Sequence, residues 1–282
     1  MNRADGKRVK DIPAFDRIIP QVMNRRCDAT NYGKFEFDMG NLRAFLRKLR
    51  AQGHNVGVMD AVIAAYVFLL QRTPELNRFI VNKKLYQRNH ICVSFTMLKR
   101  APGSEAIEET AVKVYLEQGD DLIAISQKIR AVIKENETLQ TKNNMDNFVK
   151  RLASVPFLLG FLMGCIKFLD RRGILPRRIL DLSPFHTTLY VSNLASIQMG
   201  YVYHHLYEFG TAGIFITMGK PQCAPGEGKE KDRVMTLGVS FDERICYGAV
   251  WARAFYDFKR ALEHPERFLG AARNEACEEE TG

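Results

Sequence analysis

Apolar positions recur along this chain with two spacings. Alternation marks strands at Lys34 to Asp38, Phe79 to Val81, Leu85-Tyr86, Ile91 to Leu98, Glu108 to Leu116, Thr187 to Leu194 and Gly213 to Met218. The clearest is the run Met235, Leu237, Val239 and Phe241, which share one face. A turn at Asn82-Lys83-Lys84 joins two of the others. Helical spacing marks Leu42 to Arg50, stopped by Gly53, then Leu122 to Ile133 and Val250 to Leu262, each with a polar far side. Val58 to Leu70 is apolar almost all round and is expected in the middle of a core.

Three stretches depart from both patterns. Residues 1 to 20 are charged, then extended, and Pro13 and Pro20 are expected to break any helix there. The most apolar stretch, Val155 to Leu169, falls short of the roughly 20 residues that cross a bilayer, and it contains Pro156, Gly160, Gly164 and Lys167. It predicts a buried or subunit-contact helix, with a membrane-lying segment as the alternative. The polar run Pro221 to Asp232 has the composition of a hairpin loop, and the acidic tail from Gly270 is expected to fray.

No composition shift marks a linker, so the 282 residues are expected to form one α/β domain with a core from about 10 to 269. Lys plus Arg exceed Asp plus Glu by nine. With no dense basic helix or nucleic-acid motif, the excess suits an acidic small molecule, or a scattered solvated surface, better than nucleic acid. Cys27, Cys92, Cys165, Cys223, Cys246 and Cys277 form no paired metal spacing. The N-terminus lacks the apolar core of a signal peptide, and a reducing cytoplasm is the expected location.

The stretch Ser240-Phe241-Asp242-Glu243-Arg244-Ile245-Cys246-Tyr247-Gly248 hands a strand over to a helix through a short polar turn. With its helix and the following Glu263-His264-Pro265-Glu266-Arg267-Phe268-Leu269, it resembles the end of the acyltransferase domain of 2-oxoacid dehydrogenase complexes and of chloramphenicol acetyltransferase. Those families carry His-x-x-x-Asp-Gly there; the matching positions here are Glu243, Tyr247 and Gly248. Pro74-Glu75-Leu76-Asn77, Ser192-Asn193-Leu194 and Thr217-Met218-Gly219-Lys220 match further segments in the same order. Ala195 stands where the families have Gly. The resemblance implies a two-layer sandwich with a mixed β-sheet, the coenzyme-A-dependent acyltransferase fold, assembled as a homotrimer with active sites between subunits. With no lipoyl-carrying or subunit-binding module expected ahead of it, the chain resembles the free-standing acetyltransferase more.

By that resemblance Ser192 donates a hydrogen bond to the oxyanion of a tetrahedral intermediate, while Ser192 and Asn193 satisfying turn amides is the plain alternative. A base is also needed, and an imidazole near pKa 6.5 suits the task better than a carboxylate near 4.3. Glu243 serves only if an apolar pocket raises its pKa; otherwise it is a turn carboxylate, paired with Arg244, or a ligand contact. His204 and His205, expected to face opposite ways, offer the missing imidazole or an aromatic-packed loop, and His186 is a weaker version of the same idea. Tyr247 cannot repeat the role of Asp, and Cys246 reads as packing rather than as a nucleophile. Asn193 and Arg244 are the candidates for contacts with coenzyme A. The expected function is acyl transfer between coenzyme A and an acceptor, without a metal. The alternative is a catalytically silent protein of the same fold that binds a ligand or scaffolds a partner.

Overall fold

The alternation along the strands becomes a sheet whose two faces differ in chemistry. The computed structural model describes residues 2–100, 107–139, 156–223 and 234–270. Its strands are β1 (Gly6–Arg8), β2 (Thr30–Asp38), β3 (Arg78–Val81), β4 (Lys84–Arg88), β5 (Ile91–Arg100), β6 (Ile107–Leu116), β7 (Leu189–Asn193), β8 (Ile214–Met218) and β9 (Val234–Asp242). The helices are α1 (Ala14–Val22), α2 (Gly40–Ala51), α3 (Val58–Arg72), α4 (Leu122–Leu139), α5 (Pro156–Arg172), α6 (Arg177–Leu182), α7 (Gly248–Glu263) and α8 (Pro265–Leu269).

Six strands form the main sheet in the order β2-β9-β8-β7-β5-β6, mixed because β7 runs parallel to both β5 and β8 while the other pairs are antiparallel. Phe35, Phe37, Val93, Phe95, Val112, Val114, Leu189, Val191, Ile214, Ile216, Leu237 and Val239 point from it into one apolar core. That core is shared with α2, α3, α4, α7 and α8, and α3 is buried over Asp60 to Leu70, as an all-apolar helix must be. A small sheet, β1-β4-β3, stands beside the large one, its hairpin closed by Asn82 and Lys83 at φ 47° and 61°.

The second face carries the intervening positions. Among the described residues the Arg177–Leu182 helix meets it at β6, where Lys113 donates to the Leu180 carbonyl and Tyr115 to Asp181, and an extended segment after β7 lies on another part of it. The Thr217 hydroxyl donates to the Val202 carbonyl at 2.5 Å, and the Val202 amide returns a longer bond of 3.3 Å. Such an approach leaves no room for side chains beneath. A Cβ on Gly238 would collide with the Val202 carbonyl, and one on Gly219 would lie 2.5 Å from the Tyr201 amide.

Two expectations are corrected. Residues 14–22 form a helix despite both prolines, because Pro13 precedes the first turn and Pro20 falls in the last, where only one amide bond is forfeited. The apolar stretch ending at Leu169 does form a helix, α5, and of the two expectations for it the buried one is overturned, since Phe157 is 92% exposed and Phe161 71%, while a subunit-contact helix would need such an uncovered face. Among the described residues no helix is long and apolar enough to cross a membrane. Most of the predicted hairpin loop, and the acidic tail after Gly270, lie outside the described residues.

The close approach yields a prediction. Gly238→Ala should lower the unfolding free energy in urea by about 1–3 kcal/mol, the usual cost of forcing atoms into a filled space. Gly248→Ala, with nothing within 4 Å of the added Cβ, should leave it nearly unchanged.

Candidate functional site

Side-chain parity along β7 divides the candidates. Leu189 and Val191 face the helices, so Ser192 shares the face of Tyr190, and Asn193 turns back toward the helix layer. Among the described residues the half-buried Ser192 hydroxyl has no hydrogen-bond partner. Around it lie Thr217 on β8 and Tyr190, whose ring stacks on Phe215 at 4.7 Å.

His204 arrives on the same face from the overlying segment. Its ring stacks on Phe215 at 4.0 Å and 7°. Phe215 lies two residues before Thr217, the register partner of Ser192, and so about 8 Å from Ser192 in the plane of the sheet; Tyr190 stacks on one face of its ring and His204 on the other, so the imidazole lies further from Ser192 than Phe215 does. His204 Nδ1 lies 2.8 Å from the His205 carbonyl. A carbonyl only accepts, so Nδ1 carries the proton and Nε2 keeps its lone pair. Burial pulls this imidazole below the ordinary histidine pKa, against the upward pull of the His205 carbonyl. His205 does not face the other way as expected. Its ring stacks on His204 at 4.6 Å, because this segment is not a pleated strand and both rings follow the aromatic surface beneath.

The turn that carries Glu243 is at the far end of the sheet. Ser192 pairs with Thr217 and Thr217 with Gly238, and from Gly238 to Glu243 is five residues, about 17 Å of strand. Within one chain, therefore, Ser192 and Glu243 do not meet. Glu243 accepts a 2.5 Å bond from Asn31 Nδ2 on a half-exposed turn. Arg244 does not pair with Glu243. Asp242 takes it in a buried bidentate contact of 2.8 and 2.6 Å, with Arg244 also donating to the Met23 carbonyl, because the turn folds Arg244 back under the strand end. Tyr247 projects outward, and burial pushes the Cys246 thiol up to about 12, which makes it a packing group. His186 is buried, with Nδ1 2.8 Å from Ser183 Oγ and Nε2 3.3 Å from Asp170.

On the helix side of the same strand end as Ser192 lies a cleft of about 830 Å³, an ordinary size for a small-molecule site. Asn193, Ala195 and Ser196 form one wall, and Arg43, Arg47, Arg50 and Arg130 the other, over Met218 and Met235. Among the described residues its one lining carboxylate, Asp60, is buried and accepts from Arg130 at 2.9 Å, from Ser126 at 3.1 Å and from the Gly57 amide at 2.8 Å. Burial raises the Asp60 pKa, with Arg130 opposing it. The cleft is cationic, and it opens beside the loop that directly follows Ser192.

No protein-family model matches the chain, and no curated protein matches it by sequence. Solved structures do. The probable dihydrolipoamide acetyltransferase of Listeria monocytogenes superposes with a TM-score of 0.54 at 13% identity, over 90% of this chain and 94% of that one. The Azotobacter vinelandii dihydrolipoamide acetyltransferase gives 0.51 at 13% identity, over 92% and 93%. A chloramphenicol acetyltransferase gives 0.54 at 10% identity, over 91% and 99%. This chain has the chloramphenicol acetyltransferase-like fold. At these identities the likeness is one of architecture, and the chemistry rests on side chains.

On this acyltransferase fold, sequence reasoning missed the arginines of the cleft. Arg43, Arg47 and Arg50 recur at i, i+4 and i+7, so the period that marked the apolar face of α2 also marked a basic one. Arg130 comes from α4 and is joined to them only by packing.

The turn pairing predicts an asymmetry between adjacent carboxylates. Asp242→Asn leaves a buried guanidinium without its counter-charge and should cost about 3–5 kcal/mol in urea unfolding. Glu243→Gln, on a half-exposed turn, should cost less than about 1 kcal/mol.

Proposed function

We propose that this protein transfers an acyl group between coenzyme A and an acceptor, on the sheet face that carries Ser192. The observation that carries the reading is the state of His204: a neutral imidazole with Nδ1 fixed as a donor and Nε2 left as the acceptor, on the same sheet face as a serine hydroxyl without a partner. Those are the two groups that acyl transfer asks of a protein, a proton acceptor and an oxyanion donor. For the Azotobacter protein, the role of a serine, a histidine and an asparagine in catalysis has been investigated. Here His204 stands in for the imidazole that the Glu243 turn lacks.

The residues fit the coenzyme. Arg43, Arg47, Arg50 and Arg130 would hold its phosphates, and Asn193 and Ser196, on the wall nearest Ser192, would contact the rest of it. When bound, it supplies the acyl group as a thioester with a thiol leaving group. In the transfer, His204 Nε2 takes the proton from the acceptor's hydroxyl or thiol as that atom bonds to the acyl carbon. Ser192 donates to the carbonyl oxygen while it carries the negative charge. The carbon–sulfur bond then breaks, and the proton held on Nε2 passes to the departing sulfur.

Tyr32, exposed on this face, packs edge-on against Tyr203 at 5.8 Å and extends an aromatic surface suited to a second copy of the chain. We infer a homotrimer from it and from the fold, with each site closed by a neighbour.

A silent ligand-binding or scaffold protein is the second reading. What favours it is the Glu243 turn, where Arg244 is committed to Asp242 and Glu243 itself to Asn31.

Free-thiol release from a panel of acyl-coenzyme A thioesters separates the two. Transfer should fall about 10²–10⁴-fold in His204→Gln and about 10²–10³-fold in Ser192→Ala. Arg47→Glu should raise the KM for the thioester and spare kcat. Because burial lowers the His204 pKa, kcat/KM should hold steady at neutral pH and fall on acidification, with a midpoint below about 6.5. An inert parent with no thioester binding by calorimetry establishes the silent reading. An active parent untouched by either substitution overturns the roles of Ser192 and His204.

A further inference from the structure

Helix α5 answers to none of this. It leaves the body with its apolar side chains uncovered: Phe157 is 92% exposed, Phe161 71% and Phe168 56%. At about 100° per residue these three fall within roughly 40° of one another, one stripe along the helix. Asp170 lies about 200° around from that stripe. It is the buried residue of the helix, held by Arg3 at 2.7 Å and by the Arg3 guanidinium on its carbonyl at 2.5 Å. The anchor thus faces the protein, and the phenylalanines face directly away from it.

Charge brackets the stripe. From Phe157 to Ile166 there is no charged residue, and then Lys167, Arg171 and Arg172 follow. Among the described residues none of these three pairs with a carboxylate, and the Arg172 guanidinium sits 4.9 Å over the Phe168 ring. A cavity of about 330 Å³ at the foot of the helix is lined by Lys167, Arg171, Arg26, Lys83 and Arg244, which outnumber its two carboxylates, Asp170 and Glu208. The chain just after α1 lines the same cavity at Asn24, and α1 has its own exposed stripe, Phe15, Ile18 and Val22. Two outward apolar helices therefore flank one cationic floor.

We propose that α5 docks this protein on a membrane surface of anionic phospholipid, with the Phe157, Phe161 and Phe168 rings in the acyl region and Lys167, Arg171 and Arg172 among the headgroup phosphates. The helix is too short to span a bilayer, but about 25 Å of it suits lying in the interface plane, with basic side chains reaching outward to phosphate. Charge decides between a membrane and a second copy. A second copy, itself carrying a net charge of +9, would bring more positive charge to this basic rim, whereas an anionic surface complements it. The pairing of an apolar stripe with basic residues also supplies the two signals that stable peripheral binding needs.

Co-sedimentation of the full chain with vesicles tests it. The chain should pellet with vesicles of phosphatidylcholine and phosphatidylglycerol, and far less with phosphatidylcholine alone. The double variant Phe157→Ser/Phe161→Ser, made at exposed positions, should keep the wild-type circular dichroism and stay in the supernatant. The triple variant Lys167→Gln/Arg171→Gln/Arg172→Gln reads the same contact by charge, and it should lose about a hundredfold in affinity, at about fivefold per basic side chain. The proposal is overturned if the wild-type chain ignores anionic vesicles, or if the serine variant pellets as the wild type does. It is equally overturned if sedimentation without lipid shows α5 joining copies of the chain while the vesicles bind nothing.

Discussion

The arrangement of the candidate site depends on how closely one extended segment lies on a sheet. Gly219 and Gly238 leave bare backbone on the second face, and the Thr217 hydroxyl bonds the Val202 carbonyl that settles there. From that seat the chain passes His204 onto the Phe215 ring. Side chains at the two glycine positions would lift the segment, and the imidazole would rise with it. The register of β7 on β8 does the rest, because it puts Ser192 beside Thr217 and hence on the face that His204 reaches.

The opposite end of the sheet is built for cohesion. Arg88, buried, donates to the carbonyls of Thr187 and Thr211 and so ties the small sheet to the starts of β7 and β8. Asp5 receives Arg3 at 2.8 Å, and Arg3 also holds Asp170. Burial pushes both carboxyls up, but their contacts more than reverse it: Arg3 chiefly for Asp5, His186 and Arg3 for Asp170. His186 is thus spent on structure, its own pKa lowered by burial. A buried charge network of this sort contributes specificity of arrangement more than net stability. It fixes the foot of α5 while leaving the apolar body of that helix outside.

Much of the fold was legible because strand and helix periods survive packing. Met235, Leu237 and Val239 face the core as their alternation implied, and the Asn82-Lys83 turn sits between β3 and β4. The α/β sandwich with a mixed sheet is the architecture that the ordered segments announced. What escaped the sequence depends on which partner a residue finds. Arg244 has carboxylates at both Asp242 and Glu243 within two residues, and only the fold of the turn selects Asp242. The facing of His204 and His205 follows from an aromatic floor contributed by β8, distant in sequence. Apolarity alone left α5 between the interior and a subunit contact, since composition records how much a helix would gain by burial and not what covers it.

The central claim is that the serine-bearing face, not the Glu243 turn, is where chemistry is held. The most direct measurement is a crystal structure of the chain grown with coenzyme A. The account predicts the phosphates against Arg47 and Arg130, and the sulfur past the end of β7 between Ser192 Oγ and His204 Nε2. A coenzyme seated at the Asp242–Arg244 end, with Ser192 and His204 both out of its reach, would contradict it.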